Sequence, residues 1–190
     1  MADCFQPRAV DPFDQFGGNT AGTRLLSGPG GVGKTQLAIG FAEQLMTGNR
    51  LDLLVWIPAA SRQSILAGYG HAAADLLLPG ADGSNTGQDA ARFHAWLATT
   101  DRRWLVVLDD LCNAADLEGL WPPNRPTGRA VVTTRLRGSA VSTVGRLVQV
   151  GVFAADESAA YLTSRLADQP DLADDVDGVV ADLGNLPLVP

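Results

Sequence analysis

The apolar residues of this chain fall into short continuous runs that are separated by longer, mixed segments. Such runs occur at residues 23–27, 51–60, 104–108, 130–134 and 147–152. Runs without a regular polar alternation are typical of parallel strands that are buried on both faces, whereas a half-exposed strand alternates apolar and polar residues. We therefore predict strands at these positions, with residues 51–60 and 104–108 buried on both sides.

The segments between the runs have helical spacing. Ala38, Phe41, Ala42 and Leu45 lie three or four positions apart, which places them on one face of a helix. Further helices are predicted at residues 62–78, 88–99 and 116–120, the first of them capped by Ser61. Because strands and helices alternate, the pattern predicts an α/β fold, with a parallel sheet covered by helices on both faces.

The last part of the chain changes character. Residues 156–167 and 171–183 have helical spacing with no strand between them, and Pro170 separates the two segments. Two helices leave an apolar face uncovered unless they pack on other parts of the chain, so we expect a truncated helical subdomain. The predicted organisation is an N-terminal arm at residues 1–22, an α/β domain at residues 23–152 and the helical subdomain at residues 153–190.

The composition excludes several classes of protein. With 190 residues and a net charge of -7, the chain lacks the clustered basic residues that a nucleic-acid-binding surface needs. Cys4 and Cys112 are too far apart in sequence to indicate a zinc site or a disulfide framework. Neither a leader peptide nor an apolar stretch of about 18 residues is present, so we expect a cytoplasmic protein without membrane contact.

The segment GPGGVGKT, from Gly28 to Thr35, has the full G-x-x-x-x-G-K-[ST] pattern between a predicted strand and a predicted helix. Glycines allow the backbone N–H groups to surround a phosphate, and the start of the helix adds its positive end. We expect Lys34 to neutralise the β- and γ-phosphates and Thr35 to offer its hydroxyl to Mg²⁺. The expected nucleotide contacts in this segment and at the residue after it are Gly28, Gly30, Gly31, Val32, Gly33, Lys34, Thr35 and Gln36.

Two carboxylates follow the apolar run WLVVL. Asp109 and Asp110 stand at the predicted C-terminal end of a buried strand, which is where open α/β sheets bind their ligands. Asp109 is therefore the expected partner of Mg²⁺, together with Thr35. Asp110 occupies the position at which many related ATPases have a Glu that polarises the attacking water, and Asp is one methylene shorter.

The run AVVTTR ends a further strand with two hydroxyl residues and Arg135. A guanidinium at this end of the sheet can contact the γ-phosphate, since its planar shape suits phosphate oxygens. An arginine that is solvated at a strand end is the alternative, and the pentapeptide VVTTR does not decide between the two interpretations.

Four motifs occur together in one order: GPGGVGKTQLA, WLVVLDD, AVVTTR and GNLPL. In this order and spacing they resemble the NB-ARC family of the STAND class of signal-transduction ATPases, and most closely its actinobacterial members. The resemblance implies a P-loop NTPase fold, a three-layer sandwich with a five-stranded parallel sheet and an ARC1-like helical subdomain. It further implies that the AVVTTR strand lies between the phosphate-loop and WLVVLDD strands, that Arg135 faces the γ-phosphate and that Pro187 packs against the adenine.

The resemblance implies a regulatory switch that binds ATP or ADP with Mg²⁺ and hydrolyses ATP slowly. Catalytic roles are expected for Lys34, Asp109, Asp110 and Arg135. Partner domains in the full-length chain would be a winged helix and tetratricopeptide repeats or a DNA-binding activator domain, with homo-oligomerisation on activation. The alternatives are a small-molecule kinase or nucleotide phosphatase, and a scaffold that retains nucleotide without turnover. Residues 79–87 contain no basic residue, which disfavours a phosphoryl-acceptor lid.

Overall fold

The computed structural model describes residue 13, residues 22–136, residues 145–166 and residues 178 and 180. Strands and helices alternate through the described ranges. The strands are β1 (Gly22–Ser27), β2 (Leu53–Pro58), β3 (Trp104–Leu111), β4 (Gly128–Thr134) and β5 (Arg146–Gln149). The helices are α1 (Lys34–Thr47), α2 (Arg62–Asp75), α3 (Thr86–Thr99) and α4 (Ala155–Arg165), and a short 3-10 helix spans Ala114–Leu117.

The five strands form one sheet in the order β2-β3-β4-β1-β5, and every neighbouring pair is parallel. This is the α/β P-loop NTPase fold that the sequence predicts. β4 lies between β1 and β3, as the family resemblance implied. The carboxyl ends of these three strands therefore meet at one edge of the sheet, where α/β folds of this kind bind ligands.

Successive residues of each inner strand enter two different cores, because side chains alternate across a sheet. Leu25 of β1 packs in the core beneath α2 and α3, whereas Leu26 packs in the core beneath α1. All seven residues of β4 are buried. α1 forms the second helical layer on the sheet. Its predicted apolar face is buried as expected: Ala38, Phe41, Ala42 and Leu45.

The start of α2 confirms the predicted cap. The Ser64 backbone N–H donates to Ser61 Oγ at 3.2 Å, and the Ser61 backbone N–H donates to Ser64 Oγ at 3.1 Å. Asn85 has the same function at the start of α3, where its side chain accepts from the Gln88 N–H at 3.1 Å. These bonds satisfy amides that otherwise have no partner in a first helical turn.

Some expectations about the elements are wrong. β2 is fully buried on one face only, because it is an edge strand: on its other face Leu54 is 37% exposed and Trp56 is partly buried. β3 continues beyond the predicted end through Asp109 and Asp110 to Leu111. The predicted helix at 116–120 is instead the 3-10 helix that begins at Ala114.

The end of the chain is only partly described. α4 corresponds to the predicted helix at residues 156–167, and residues 178 and 180 of the second predicted helix are helical. Pro187 and the remainder of residues 167–190 lie outside the described residues. Among the helices that the structure describes, none combines the length and the apolar character that crossing a bilayer requires.

Candidate nucleotide-binding site

The loop between β1 and α1 has the backbone geometry of a phosphate-binding loop. Gly31 and Gly33 have φ angles of 77° and 85°, in the left-handed region that glycine adopts without strain. Val32 between them is fully buried and anchors the loop in the core beneath α1. The first turn of α1 has no side-chain cap at Gly33. The backbone N–H groups of this turn and the positive end of the helix can therefore bind an anion.

Gly28 is required where the loop leaves β1. Its amide donates to the Thr134 carbonyl of β4 at 3.3 Å, and a Cβ added here would lie 2.1 Å from the Val150 carbonyl oxygen. Gly30 has no atom within 4 Å of the corresponding position. Neither residue has a positive φ, so the two positions differ in crowding and not in backbone strain.

Alanine at Gly28 should lower the free energy of unfolding by about 1–3 kcal/mol, the usual cost of overpacking. Alanine at Gly30 is the matched control and should change that free energy by less than about 0.5 kcal/mol, as at an uncrowded surface position. Urea unfolding of the nucleotide-free chain measures both. Equal destabilisation by the two substitutions would contradict the assigned contact with Val150.

Lys34 lies folded back on the loop. Its ammonium group donates to the carbonyl oxygens of Gly28 at 3.0 Å and of Pro29 at 2.6 Å, and the residue is only 8% exposed. Burial lowers the pKa of Lys34, and so does Arg135, whereas Asp110 and Asp109 raise it. The ammonium therefore has only neutral carbonyls as direct acceptors in the described structure. An anionic ligand on this loop would supply the stronger, charge-assisted contact.

Two threonines converge on one oxygen of Asp109. Thr35 Oγ1 donates to Asp109 Oδ1 at 2.9 Å, and Thr133 Oγ1 donates to the same oxygen at 2.6 Å. Thr35 belongs to the first turn of α1, Asp109 to β3 and Thr133 to β4. Hydroxyl and carboxylate oxygens are the ligands that Mg²⁺ prefers, and this ion takes few protein ligands because it keeps most of its waters. The pair Thr35 and Asp109 therefore fits a magnesium ion beside the phosphate loop.

Asp110 and Arg135 form a loose ion pair beside these residues. Arg135 Nη2 lies 3.3 Å from Asp110 Oδ2, and their side chains are 69% and 49% exposed. A pair this open to solvent is worth at most about 1 kcal/mol. Arg135 is therefore held only weakly by Asp110, and a phosphate group can compete for it.

A comparison with protein families supports the interpretation of this region as a nucleotide-binding site. Residues 18–171 match the family model of the NB-ARC domain. The chain belongs to the NB-ARC family. NB-ARC domains bind ATP or ADP, typically with Mg²⁺, and they are nucleotide-binding modules of STAND-class P-loop ATPases. No curated protein matches the chain.

Solved structures share the fold of this NB-ARC domain at low sequence identity. A STAND protein with a tetratricopeptide repeat sensor from Pyrococcus horikoshii has a TM-score of 0.58 and 14% identity, over 96% of this chain and 29% of that one. The Aeropyrum pernix ORC1 protein, solved in complex with DNA, has a TM-score of 0.55 and 16% identity, over 90% of this chain and 52% of that one. The NB-ARC domain thus spans less than a third of the first structure and about half of the second.

The NB-ARC domain brings most of the predicted site residues to one edge of the sheet. Lys34, Thr35, Asp109, Asp110 and Arg135 surround the end of the phosphate loop. Gln36 lies half-buried in the first turn of α1. Pro187, the predicted adenine contact, lies outside the described residues, so its role stays a prediction.

One residue of this site was not predicted from the sequence. Thr133 touches Asp109 directly, yet the run AVVTTR pointed only to its arginine. Two hydroxyl residues at the end of a buried strand were the available signal. The pattern could not show which of the two faces the carboxylates, because that depends on the register between β3 and β4.

Proposed function

We propose that this NB-ARC domain is the ATP/ADP-binding regulatory switch of a longer signalling or transcriptional regulator, and that it hydrolyses ATP slowly with Mg²⁺. The observation that carries the proposal is the contact of Thr35 with Asp109 directly beside the phosphate loop. It joins the metal-ligating groups of α1 and β3 at the point where the loop would hold the phosphates. A glycine-rich turn that did not bind nucleotide would have no need of a carboxylate such as Asp109 beside Thr35.

Each residue of the site has a distinct role in this proposal. Backbone N–H groups of the loop bind the phosphates, and Lys34 neutralises the β- and γ-phosphates. Thr35 and Asp109 hold Mg²⁺, which when bound offsets the negative charge that develops on the phosphates. Asp110 orients the attacking water, and Arg135 contacts the γ-phosphate.

The expected slow turnover follows from the position of Asp110. Its carboxylate is one methylene closer to the backbone than that of a Glu, and it lies 3.3 Å from the Arg135 guanidinium. A carboxylate with this shorter reach is held farther from the attacking water, which makes general-base catalysis less effective. An ATP-bound state that persists suits a switch, because the bound nucleotide then reports a regulatory state.

The proposed regulatory role depends on further domains in the full-length protein. A STAND relative of similar fold has a tetratricopeptide repeat sensor, and this chain spans 29% of its length. We propose that a winged helix and tetratricopeptide repeats, or a DNA-binding activator domain, accompany this domain in the full-length protein. Nucleotide exchange would then change how the helical segment beginning with α4 docks on the sheet, and would expose a surface for homo-oligomerisation.

A metabolic kinase or nucleotide phosphatase is the competing function. Such an enzyme needs basic residues to bind the second phosphorylated substrate, and the loop between α2 and α3 contains none. A scaffold that retains nucleotide without turnover differs from the switch only in its hydrolysis rate. The hydrolysis rate therefore separates the switch from the scaffold.

Steady-state hydrolysis of ATP should be slower than the roughly 1–100 s⁻¹ of kinases, and it should stop when Mg²⁺ is chelated. Asp109→Asn should lower the rate with Mg²⁺ toward the rate measured with a chelator, so that adding Mg²⁺ no longer matters, because the substitution takes the charge from the carboxylate that would hold the ion. Phosphate release measured with Mg²⁺ and with a chelator checks both statements.

Asp101→Asn is the matched control, since Asp101 is exposed and lies before the other end of β3. It should leave the rate and its Mg²⁺ dependence unchanged. Rapid hydrolysis without metal would contradict the proposed mechanism. Complete absence of turnover in a chain that binds ATP would favour the scaffold instead.

A further inference from the structure

The two carboxylates of the site are presented by a β-bulge. Leu108 of β3 pairs with Val132 of β4 and Leu111 pairs with Thr134, so Asp109 and Asp110 together lie opposite one residue, Thr133. Asp110 has a φ of 56°, in the left-handed region that is uncommon for residues other than glycine. In a regular strand, successive side chains point to opposite faces of the sheet. The bulge is therefore what allows adjacent carboxylates to serve one site.

Thr133 bonds to both residues of the bulge. The Asp110 backbone N–H donates to Thr133 Oγ1 at 2.8 Å, and Thr133 Oγ1 donates to Asp109 Oδ1 at 2.6 Å. A hydroxyl carries one hydrogen and can accept at its lone pairs. Since the amide can only donate, the single hydroxyl hydrogen is free for the carboxylate, and both bonds are satisfied together.

We infer that Thr133 is a positioning residue of the nucleotide site, whose hydroxyl fixes the bulge and thereby aims Asp109 at Thr35 and Asp110 at Arg135. The inference rests on the proposed function, because it concerns how this chain holds the residues that would bind Mg²⁺. Thr133 is 1% exposed, so its hydroxyl has no access to solvent as an alternative partner. In the part of the chain that the structure describes, its hydroxyl bonds to Asp109 and Asp110, so Thr133 acts through these two residues.

Valine in place of Thr133 keeps the branched shape and removes the hydroxyl. It leaves the Asp110 amide without its acceptor and Asp109 with Thr35 as its remaining hydroxyl donor. Loss of a group that orients a metal-ligating carboxylate typically weakens metal affinity by about 10–100-fold. Serine at this position restores the hydroxyl and should restore the affinity.

The neighbouring Thr134 provides a matched control. It is fully buried, its hydroxyl donates to the Leu111 carbonyl at 2.6 Å, and it accepts from the Leu136 N–H at 3.0 Å. Thr134→Val therefore removes a similar pair of buried bonds from the same strand end without touching either carboxylate. A general loss of stability would affect both variants alike.

The test is a titration of Mn²⁺, as a probe for Mg²⁺, into the ADP complex of each variant, with bound metal measured by electron paramagnetic resonance. Thr133→Val should bind Mn²⁺ about 10–100-fold more weakly than the unmutated chain. Thr133→Ser and Thr134→Val should both retain the unmutated affinity. Metal binding in the ADP complex does not require turnover, so slow hydrolysis does not affect the result.

Unchanged Mn²⁺ affinity in Thr133→Val would overturn the role of Thr133 and leave the proposed function intact. Equal losses in Thr133→Val and Thr134→Val would also overturn it, since the effect would then be structural. An unmutated ADP complex that binds no Mn²⁺ would overturn both this inference and the magnesium site of the proposed function. If Thr133→Val does not fold, Thr133→Ala and Thr134→Ala replace the valine pair with the same expected contrast.

Discussion

Alanine in place of Lys34 should raise the dissociation constant for ATP at least about 100-fold and that for ADP about 10–100-fold, because each contact of the ammonium with a phosphate is worth about 1.5–3 kcal/mol and ADP lacks the γ-phosphate. Lys34 is the only lysine in the sequence and the one cation that the phosphate loop itself provides. Its ammonium donates to the Gly28 and Pro29 carbonyls, so Lys34→Ala leaves no charged group without a hydrogen-bond partner. Calorimetric titration with each nucleotide measures the loss.

The fold should survive this substitution, and the unfolding transition of the nucleotide-free variant serves as the check. Lys34→Arg is a useful companion, since it keeps the charge but places a larger, planar group in a site where Lys34 is mostly buried. Unchanged affinity in a folded Lys34→Ala variant would contradict the assignment of residues 28–35 as a phosphate-binding loop.

Alanine in place of Arg135 should weaken ATP binding by about 10–100-fold, the equivalent of one charge-assisted contact worth about 1.5–3 kcal/mol, and should leave ADP binding almost unchanged. The selectivity is expected because Arg135 follows the end of β4 next to Asp110, where we propose that it contacts the γ-phosphate, which ADP lacks. Its present pair with Asp110 is largely exposed and costs little to break. Parallel titrations with ADP and a non-hydrolysable ATP analogue measure the ratio.

Arg102→Ala is the control for general charge effects, since Arg102 is exposed and precedes β3 at the opposite end of the sheet. It should lower both affinities slightly and equally. The comparison requires measurable binding of both nucleotides by the unmutated chain. If Arg135→Ala weakens ATP and ADP to the same small extent, the arginine is a solvated residue and not a sensor of the γ-phosphate.

Local sequence patterns were sufficient to predict the elements that depend on nearby residues. The spacing of apolar residues predicted the buried face of α1, and Ser61 marked the start of α2. The full phosphate-loop motif predicted both the turn and the helix that follows it. In each case the determining interactions lie within a few residues, so the sequence contains the information directly.

Features that depend on strand order were harder to predict. The run that became β2 resembles an inner strand in composition, and its exposure follows only from its place at the edge of the sheet. The position of β4 between β1 and β3 was available from the family resemblance and not from the apolar pattern. The bulge at Asp110 and the contacts of Thr133 depend on cross-strand register, which no local pattern encodes.

Nucleotide binding by residues 28–35 is tested by incubating the chain with excess ADP and Mg²⁺, desalting and denaturing it, and identifying the released ligand by mass spectrometry. We expect stoichiometric ADP from the unmutated chain and a background level from Lys34→Ala. Background levels from both, in chains that unfold cooperatively, would contradict the assignment of residues 28–35 as a nucleotide-binding loop.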